Sequence, residues 1–392
     1  MKFRLASAAA ALAAGLALFG CGGGGGGIGG TGRTEGTLRV AITDAPACGY
    51  DAVYITVDRV RVNQSSTASD SDGGWTDIVV SPAKRINLLD LTNGALEELG
   101  QANLPAGKYT QLRLVLVDND STHPLANSVI PTGGSETALD TPSAQQSGLK
   151  INTDIDVPEG KEADIAIDFD ACKSVVKRGN SGKYNLKPVM QAVPVLSDAG
   201  LRVTGYVAPA IALPSTQVSV QFQGKPVKAT VPDSTGKFTL YPLTAGTYDL
   251  VVTSDGHVTA VMTGVPVVSG TPTAVSSSTV TITPATSTMR SVTGTVTPAT
   301  ATVRALQALT GGPTVEVSWA AVDATTGDFA FSLPVQAPVK AAYVANPVSL
   351  TFTADSAAAG KYSIEAASAG ATKTQAAEVS SAPVTLPPFT FP

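Results

Sequence analysis

Apolar and polar residues alternate with period two along Thr37-Leu38-Arg39-Val40-Ala41-Ile42-Thr43, the pattern of a strand with one buried face. A longer run follows from Ala52 to Val62. Val53, Ile55 and Val57 share one face, whereas Val60 and Val62 fall on the other count. One extra residue near Asp58-Arg59 would return all five to the same face, so the spacing predicts a β-bulge there. Trp75 opens another strand, and Ile86-Asn87-Leu88-Leu89-Asp90-Leu91 leads into Asn93-Gly94, a dipeptide that favours a tight turn. A short Leu96–Leu99 stretch follows the turn. Tyr109 to Val117 is the most apolar strand, with Leu112, Leu114 and Leu116 on one face.

The second half repeats itself weakly. Val203-Thr204-Gly205-Tyr206-Val207 matches Val292-Thr293-Gly294-Thr295-Val296. Thr235-Gly236-Lys237-Phe238-Thr239-Leu240 matches Thr326-Gly327-Asp328-Phe329-Ala330-Phe331. Ala245-Gly246-Thr247-Tyr248-Asp249-Leu250 matches Ala359-Gly360-Lys361-Tyr362-Ser363-Ile364. The preserved order of the three motifs argues for a shared module. A Thr-, Ser- and Pro-rich stretch, 270–290, joins the copies, with a strand expected around Ser278–Thr283. Short β-branched runs between Gly, Pro and Asn turns, with little helical periodicity, predict an all-β chain. The expected organisation is three tandem β-sandwich modules in an elongated string, over 34–197, 201–288 and 291–392.

The N-terminus departs from this pattern. Lys2 and Arg4 precede an apolar stretch from about Ala6 to Phe19, too short for a membrane span and of signal-peptide length. It ends in Leu18-Phe19-Gly20-Cys21, which resembles a bacterial lipobox, where cleavage before Cys is coupled to lipidation of that Cys. Residues 1–20 are thus expected to be a signal peptide. Residues 21–33 form a lipidated Cys21 with a Gly-rich tether, Gly22–Gly27 being a flexible segment suited to following an anchor. Gly at position 22 favours the outer membrane if enterobacterial sorting applies. Acyl chains add about 0.8 kcal/mol per buried methylene, so several on one Cys give firm attachment.

Composition sharpens this reading. The net charge of −5, with scattered lysines, leaves no electrostatic footprint for nucleic acid. Of three cysteines, acylation of Cys21 leaves Cys48 and Cys172, an even pair that an oxidising compartment usually closes as a disulfide.

The first module resembles the bacterial domain-of-unknown-function family numbered 4382. The resemblance rests on Ile42-Thr43-Asp44-Ala45-Pro46, Val53–Val62, Gly74-Trp75, Ile86-Asn87-Leu88-Leu89 and Asn93-Gly94. It closes on Leu104-Pro105-Ala106-Gly107-Lys108-Tyr109 with Gln111-Leu112-Arg113-Leu114. It implies an exported lipoprotein and supplies no catalytic residues. The V-T-G-x-V and G-x-F-x-L…G-x-Y-x-L motifs of the other modules are similar to carboxypeptidase regulatory-like or prealbumin-like sandwiches, which implies spacer or binding roles.

The strongest local chemistry is acidic. Ile151, Thr153, Ile155 and Val157 alternate with Asn152, Asp154 and Asp156; Ile165, Ile167 and Phe169 alternate with Asp164 and Asp168. Read as a hairpin about Pro158-Glu159-Gly160, the two runs pair Ile155 with Ile165 and set Asp156 opposite Asp164. Directly opposed like charges destabilise a sheet. Solvation, a neighbouring cation, or Ca²⁺ held by Asp154, Asp156, Asp164 and Asp168 would relieve them. Asp70-Ser71-Asp72-Gly73-Gly74 resembles the opening of a calcium loop but lacks its later Glu and reads as a turn. Asp118-Asn119-Asp120 reads the same way. Asp44, before Pro46, is expected to cap a turn through its side chain.

Catalytic groups are sparse: the two histidines, His123 and His257, lie in loops, and no G-x-S-x-G elbow is present. Two carboxylates suffice for a glycosidase, but two tryptophans, Trp75 and Trp319, leave few platforms for sugar. The sequence therefore predicts a non-enzymatic, membrane-anchored envelope protein with a binding, adhesion or scaffolding role, polysaccharide or another envelope protein being the candidate partners. A carbohydrate-active enzyme and a calcium-stabilised module are the alternatives.

Overall fold

The computed structural model describes residues 34–44, 49–142, 144, 147–211 and 215–392. Cys21, Cys48, Ala45 and Pro46 lie outside the described residues. Nearly all regular structure is strand, and it packs around three apolar cores.

The first core lies between two sheets. One contains β1 (Glu35–Asp44), β4 (Glu97–Pro105), β9 (Glu162–Phe169) and β12 (Met190–Pro194), in the order β12-β9-β1-β4. The other is built on β2 (Tyr50–Asn63), β3 (Thr76–Asn87), β5 (Gly107–Leu116), β6 (Ser128–Pro131), β7 (Thr137–Asp140) and β8 (Leu149–Val157). β10 (Val175–Lys177) and β11 (Tyr184–Leu186) extend it, in the order β10-β11-β7-β6-β2-β5-β8, with β3 also on β2. The predicted bulge is present: the register of β2 against both β3 and β5 shifts between Val57 and Arg59. Val53, Ile55, Val57, Val60 and Val62 are consequently all buried in one core.

The L-P-A-G-x-Y motif marks a crossing between these sheets, because β4 and β5 belong to different ones. The Tyr109 hydroxyl donates back to the Pro105 carbonyl at 3.0 Å, which fixes the corner. Downstream, Gln111 Nε2 and Arg113 Nη2 both donate to the Ala68 carbonyl, at 3.1 and 2.8 Å, and clamp the loop between β2 and β3. Trp75 packs on that clamp, with the Arg61 and Arg113 guanidinium carbons 4.9 and 4.8 Å from its ring centroid. Its indole N–H donates to the Ser69 carbonyl at 2.8 Å.

The acidic hairpin requires correction. β8 pairs with β5, while β9 pairs in parallel with β1 and antiparallel with β12. The turn at Pro158–Lys161 therefore carries the chain from one sheet to the other rather than closing a ladder. The alternation within each run was a sound guide, but two strands with matching apolar faces also satisfy each other across a core. Ile155 and Ile165 meet as members of that core, not as ladder partners.

In the second half, strand Val203–Tyr206 pairs antiparallel with Lys237–Leu240, and Met289–Thr297 pairs antiparallel with Asp328–Pro334. Gly205 lies opposite Phe238, and Gly294 opposite Phe329. A Cβ on either glycine would stand 2.5 Å from the facing phenyl ring. The matched motifs thus occupy matching strand pairs. The expected strand at 278–283 is instead an isolated bridge between Ile282 and Val207.

The modules do not follow one another as a string. Strand Val339–Ala342, within the expected third module, pairs in parallel with Ala260–Val267 of the second. Tyr343, Leu350 and Phe352 pack on the second core, and Val251 and Val261 belong to the third. Residues 34–392 form one compact unit. No helix among the described residues is long and apolar enough to cross a membrane.

Candidate binding groove at the module junction

The charged residues buried at the junction are shared out among the modules. Lys173 lies in the short helix α1 (Ala171–Ser174), which follows β9, and Asp170 caps that helix by accepting from the Lys173 N–H at 3.0 Å. The Lys173 ammonium reaches Glu316 Oε1 at 2.9 Å on strand Thr314–Ala320 of the third module. The other Glu316 oxygen faces Arg304 Nη1 at 3.4 Å, and Arg304 Nε reaches Glu365 at 2.7 Å. The backbone of Glu316 is held as well: its N–H donates to Gln221 Oε1 at 2.9 Å, and its carbonyl accepts from Gln221 Nε2 at 2.8 Å. Glu316 therefore contacts all three modules through polar bonds.

Burial lowers the pKa of Lys173, but the carboxylates of Glu316 and Asp170 outweigh that effect and hold it above the usual lysine value. Burial pushes the Asp170 carboxyl up, only partly countered by Lys173.

A second lock joins the first two modules. Lys228, on strand Lys225–Thr230, places its ammonium 2.5 Å from Asp168 Oδ1, with side-chain exposures of 2% and 8%. The same ammonium lies 3.4 Å from the Asp44 carbonyl. Asp168 Oδ2 accepts from Gln191, which also bonds the Val227 carbonyl. Asp44 is itself fully buried. One of its oxygens accepts from the Ala171 N–H at 2.9 Å, while the other has no hydrogen-bond partner. Burial raises the Asp44 pKa well above the ordinary carboxylate value, against the lowering effect of the Ala171 bond.

The four proposed calcium ligands are therefore not assembled. Asp154 and Asp156 lie on β8 in one sheet, and Asp164 and Asp168 on β9 in the other. Asp154 faces Lys108 at 3.1 Å, Asp164 faces Arg39 at 3.7 Å, and Asp168 is taken by Lys228. No group of three or more His, Cys, Asp or Glu that could hold a metal occurs among the described residues. Asp44 also differs from expectation: its carboxylate bonds Ala171, 127 positions along the chain.

The loop acids behave as turn-formers. Asp72 accepts from the Ser69 N–H at 2.8 Å, and Asp120 from the Thr122 and His123 N–H groups at 2.7 and 2.6 Å. His123 and His257 both lie in loops, the second with Nδ1 2.9 Å from the Asp255 carbonyl.

Beside the Glu316 lock opens a cavity of about 1020 Å³, bounded by Tyr50 and Asp90 of the first module, Gln217 and Thr253 of the second, and Ser318 and Trp319 of the third. A second cavity of about 690 Å³ adjoins it, and Tyr50, Trp319 and Ala321 line both. Lys173 Nζ sits 4.8 Å from the Trp319 ring centroid. Cys172 borders the larger cavity.

Sequence reading missed Lys228, Lys173, Arg304 and Glu316 as a group. Their one visible signal was a lone carboxylate in the apolar run Val315-Glu316-Val317, a position that makes sense only if the outer face of the strand is covered too.

No curated protein matches the chain. Among solved structures, the chain is similar over 22% of its length to a chain of a type II cohesin–X-dockerin complex from Acetivibrio cellulolyticus, at 24% identity and a TM-score of 0.20. It spans about 58% of that chain. The Corynebacterium diphtheriae major pilin SpaA aligns over 91% of this chain and 99% of its own, at 12% identity and a TM-score of 0.15. A streptococcal ancillary pilin aligns over 90% and 98%, at 10% identity and a TM-score of 0.14. Superpositions this loose transfer no role. Residues 35–188, which hold the bulged strand, the Tyr109 corner and the Asp44 lock, match the family model described as a domain of unknown function, DUF4382.

Proposed function

We propose that this chain is a non-enzymatic binding protein of the cell envelope, held to the membrane by a lipidated Cys21 and presenting the groove at its module junction. The observation that carries the reading is the Glu316 hub. Lys173, Arg304 and Gln221 from three modules converge on one residue beside a large open groove. Inter-module interfaces within a chain commonly allow relative motion. Charge pairs this buried instead hold the groove walls in one geometry, as a pre-formed binding site requires. The same pairs occupy Glu316, Asp168 and Lys173, leaving them unsuited to proton transfer.

Anchorage rests on the signal-like segment, the Leu18-Phe19-Gly20-Cys21 motif and the glycine tether. Under enterobacterial sorting, Gly22 favours the outer membrane. The second and third modules act as prealbumin-like repeats that complete the groove. A Cys48–Cys172 disulfide fits this location, because Asp44, four residues before Cys48, bonds Ala171, the neighbour of Cys172.

Two measurements test the reading. Metabolic labelling with a fatty acid should mark the wild-type protein and not Cys21→Ala, which should leave the membrane fraction. Incubation of the detergent-solubilised full chain with purified envelope polysaccharide should retain the polymer without shortening it. Release of new reducing ends, lost on substitution of Asp51 or Asp90, would make the protein an enzyme.

A further inference from the structure

We infer that the groove shared by the two junction cavities takes a neutral oligosaccharide, with Tyr50 and Trp319 as the rings against which it packs. This inference rests on the binding role proposed above and names its ligand class. The two rings come from different modules, and both line both cavities, so a ligand extending through the groove must pass them. The combined space, about 1020 and 690 Å³, suits a chain of several sugar rings rather than a single small molecule.

Charge selects among extended ligands. The lysine of the larger cavity is Lys173, whose ammonium is held by Glu316 at 2.9 Å and Asp170 at 3.6 Å. The open carboxylates there are Asp51 and Asp90, both exposed. Among the described residues, the larger cavity meets an anionic ligand with these two carboxylates and no cation outside the Lys173 pairs. The remaining polar lining includes Thr132, Ser215, Gln217, Thr253 and Ser318, groups that exchange hydrogen bonds with hydroxyls. In the smaller cavity Thr293, Thr295 and Thr385 continue that chemistry, and the lining there holds Lys177 together with the carboxylates of Asp323 and Asp328. Aromatic faces, hydroxyls, an amide and carboxylate acceptors together match a polyhydroxylated chain with apolar ring faces. A phosphate polymer would find, among the described residues lining the larger cavity, no cation outside the Lys173 pairs.

The full chain in detergent, carrying Trp75→Phe so that Trp319 is the reporting fluorophore, would be titrated with cellohexaose, xylohexaose, laminarihexaose and chitohexaose. Oligogalacturonate serves as the charged comparator, and calorimetry gives the affinities. At least one neutral hexaose should saturate a change in Trp319 emission, and oligogalacturonate should bind at least tenfold more weakly. Trp319→Ala and, independently, Tyr50→Ala should each weaken binding tenfold or more, as aromatic anchors do. Trp319→Phe should recover part of the loss, and melting curves identify any variant that fails to fold. No binding by any neutral hexaose, equal binding by oligogalacturonate, or affinity indifferent to both rings would overturn the assignment. Each of those results leaves the anchored, non-catalytic role standing; shortening of a bound hexaose would overturn that role instead.

Discussion

Lys173 and Glu316, 143 residues apart in the chain, meet at 2.9 Å with side-chain exposures of only 12% and 7%. One residue belongs to the sandwich that matches the family model, the other to the last module. Their contact makes the stability of each module depend on the other, and it stands at the edge of the groove.

Breaking this pair should be costly. A buried pair that loses one partner is destabilised by roughly 3–5 kcal/mol, because the remaining charge stays buried without its counter-ion. Glu316→Ala leaves both Lys173 and Arg304 short of a carboxylate, so it should cost more than Lys173→Ala. Calorimetry should show one melting transition for the wild type and separate transitions for Glu316→Ala. Lys173→Met combined with Glu316→Leu should cost less than the sum of the two single losses. Additive costs with one unchanged transition would mean that the pair is not a lock.

Asp44 gives a pH prediction with a definite sign. Burial raises its carboxyl pKa in the fold, so the folded state favours the protonated form. Such a group contributes fully below the unfolded carboxyl value of about 3.9 and loses its contribution as pH rises through the folded value. Asp44→Asn keeps an oxygen for the Ala171 N–H and removes the titration. Its urea midpoint should match or exceed that of the wild type at pH 7, and the difference should shrink or reverse toward pH 4. A uniform destabilisation across this range would show that burial does not raise the Asp44 carboxyl pKa.

Two glycines in the matched motifs offer an internal control for backbone strain. Gly236 and Gly327 have φ of +86° and +74°, and a Cβ on them would lie 2.1 Å from the Val207 oxygen and 2.2 Å from the Val296 oxygen. Gly256 has φ of +74° with open space around it. Gly256→Ala should therefore cost about 1 kcal/mol, the left-handed penalty alone. Gly236→Ala and Gly327→Ala should cost at least about 2 kcal/mol, since the carbonyls must also move. Equal losses at all three positions, read from denaturant midpoints, would contradict the close approach.

The strands were legible in the sequence wherever one face is buried and the other solvated, as along Thr37–Thr43 and across the bulge at Asp58-Arg59. Partner choice was not. The runs ending in Val157 and beginning at Glu162 read equally well as a hairpin or as two layers of a sandwich, because period-two alternation reports a buried face and not which strand lies beside it. The groove was hidden for a related reason. Lys228, Asp168 and Glu316 occupy outward faces of their own strands, and local pattern marks such faces as wet. Only the arrival of another module makes them dry. Trp319 likewise acquires its meaning from Tyr50, more than 260 positions away.

The proposed tether at Cys21 carries a definite chemical signature. The most direct test is mass spectrometry of the protein extracted from the membrane fraction. The mature chain should begin at Cys21, carry acyl chains on that residue, and have no free thiol at Cys48 or Cys172. A chain that begins at another residue, or an unacylated Cys21 in a protein recovered from the aqueous fraction, would contradict the tether.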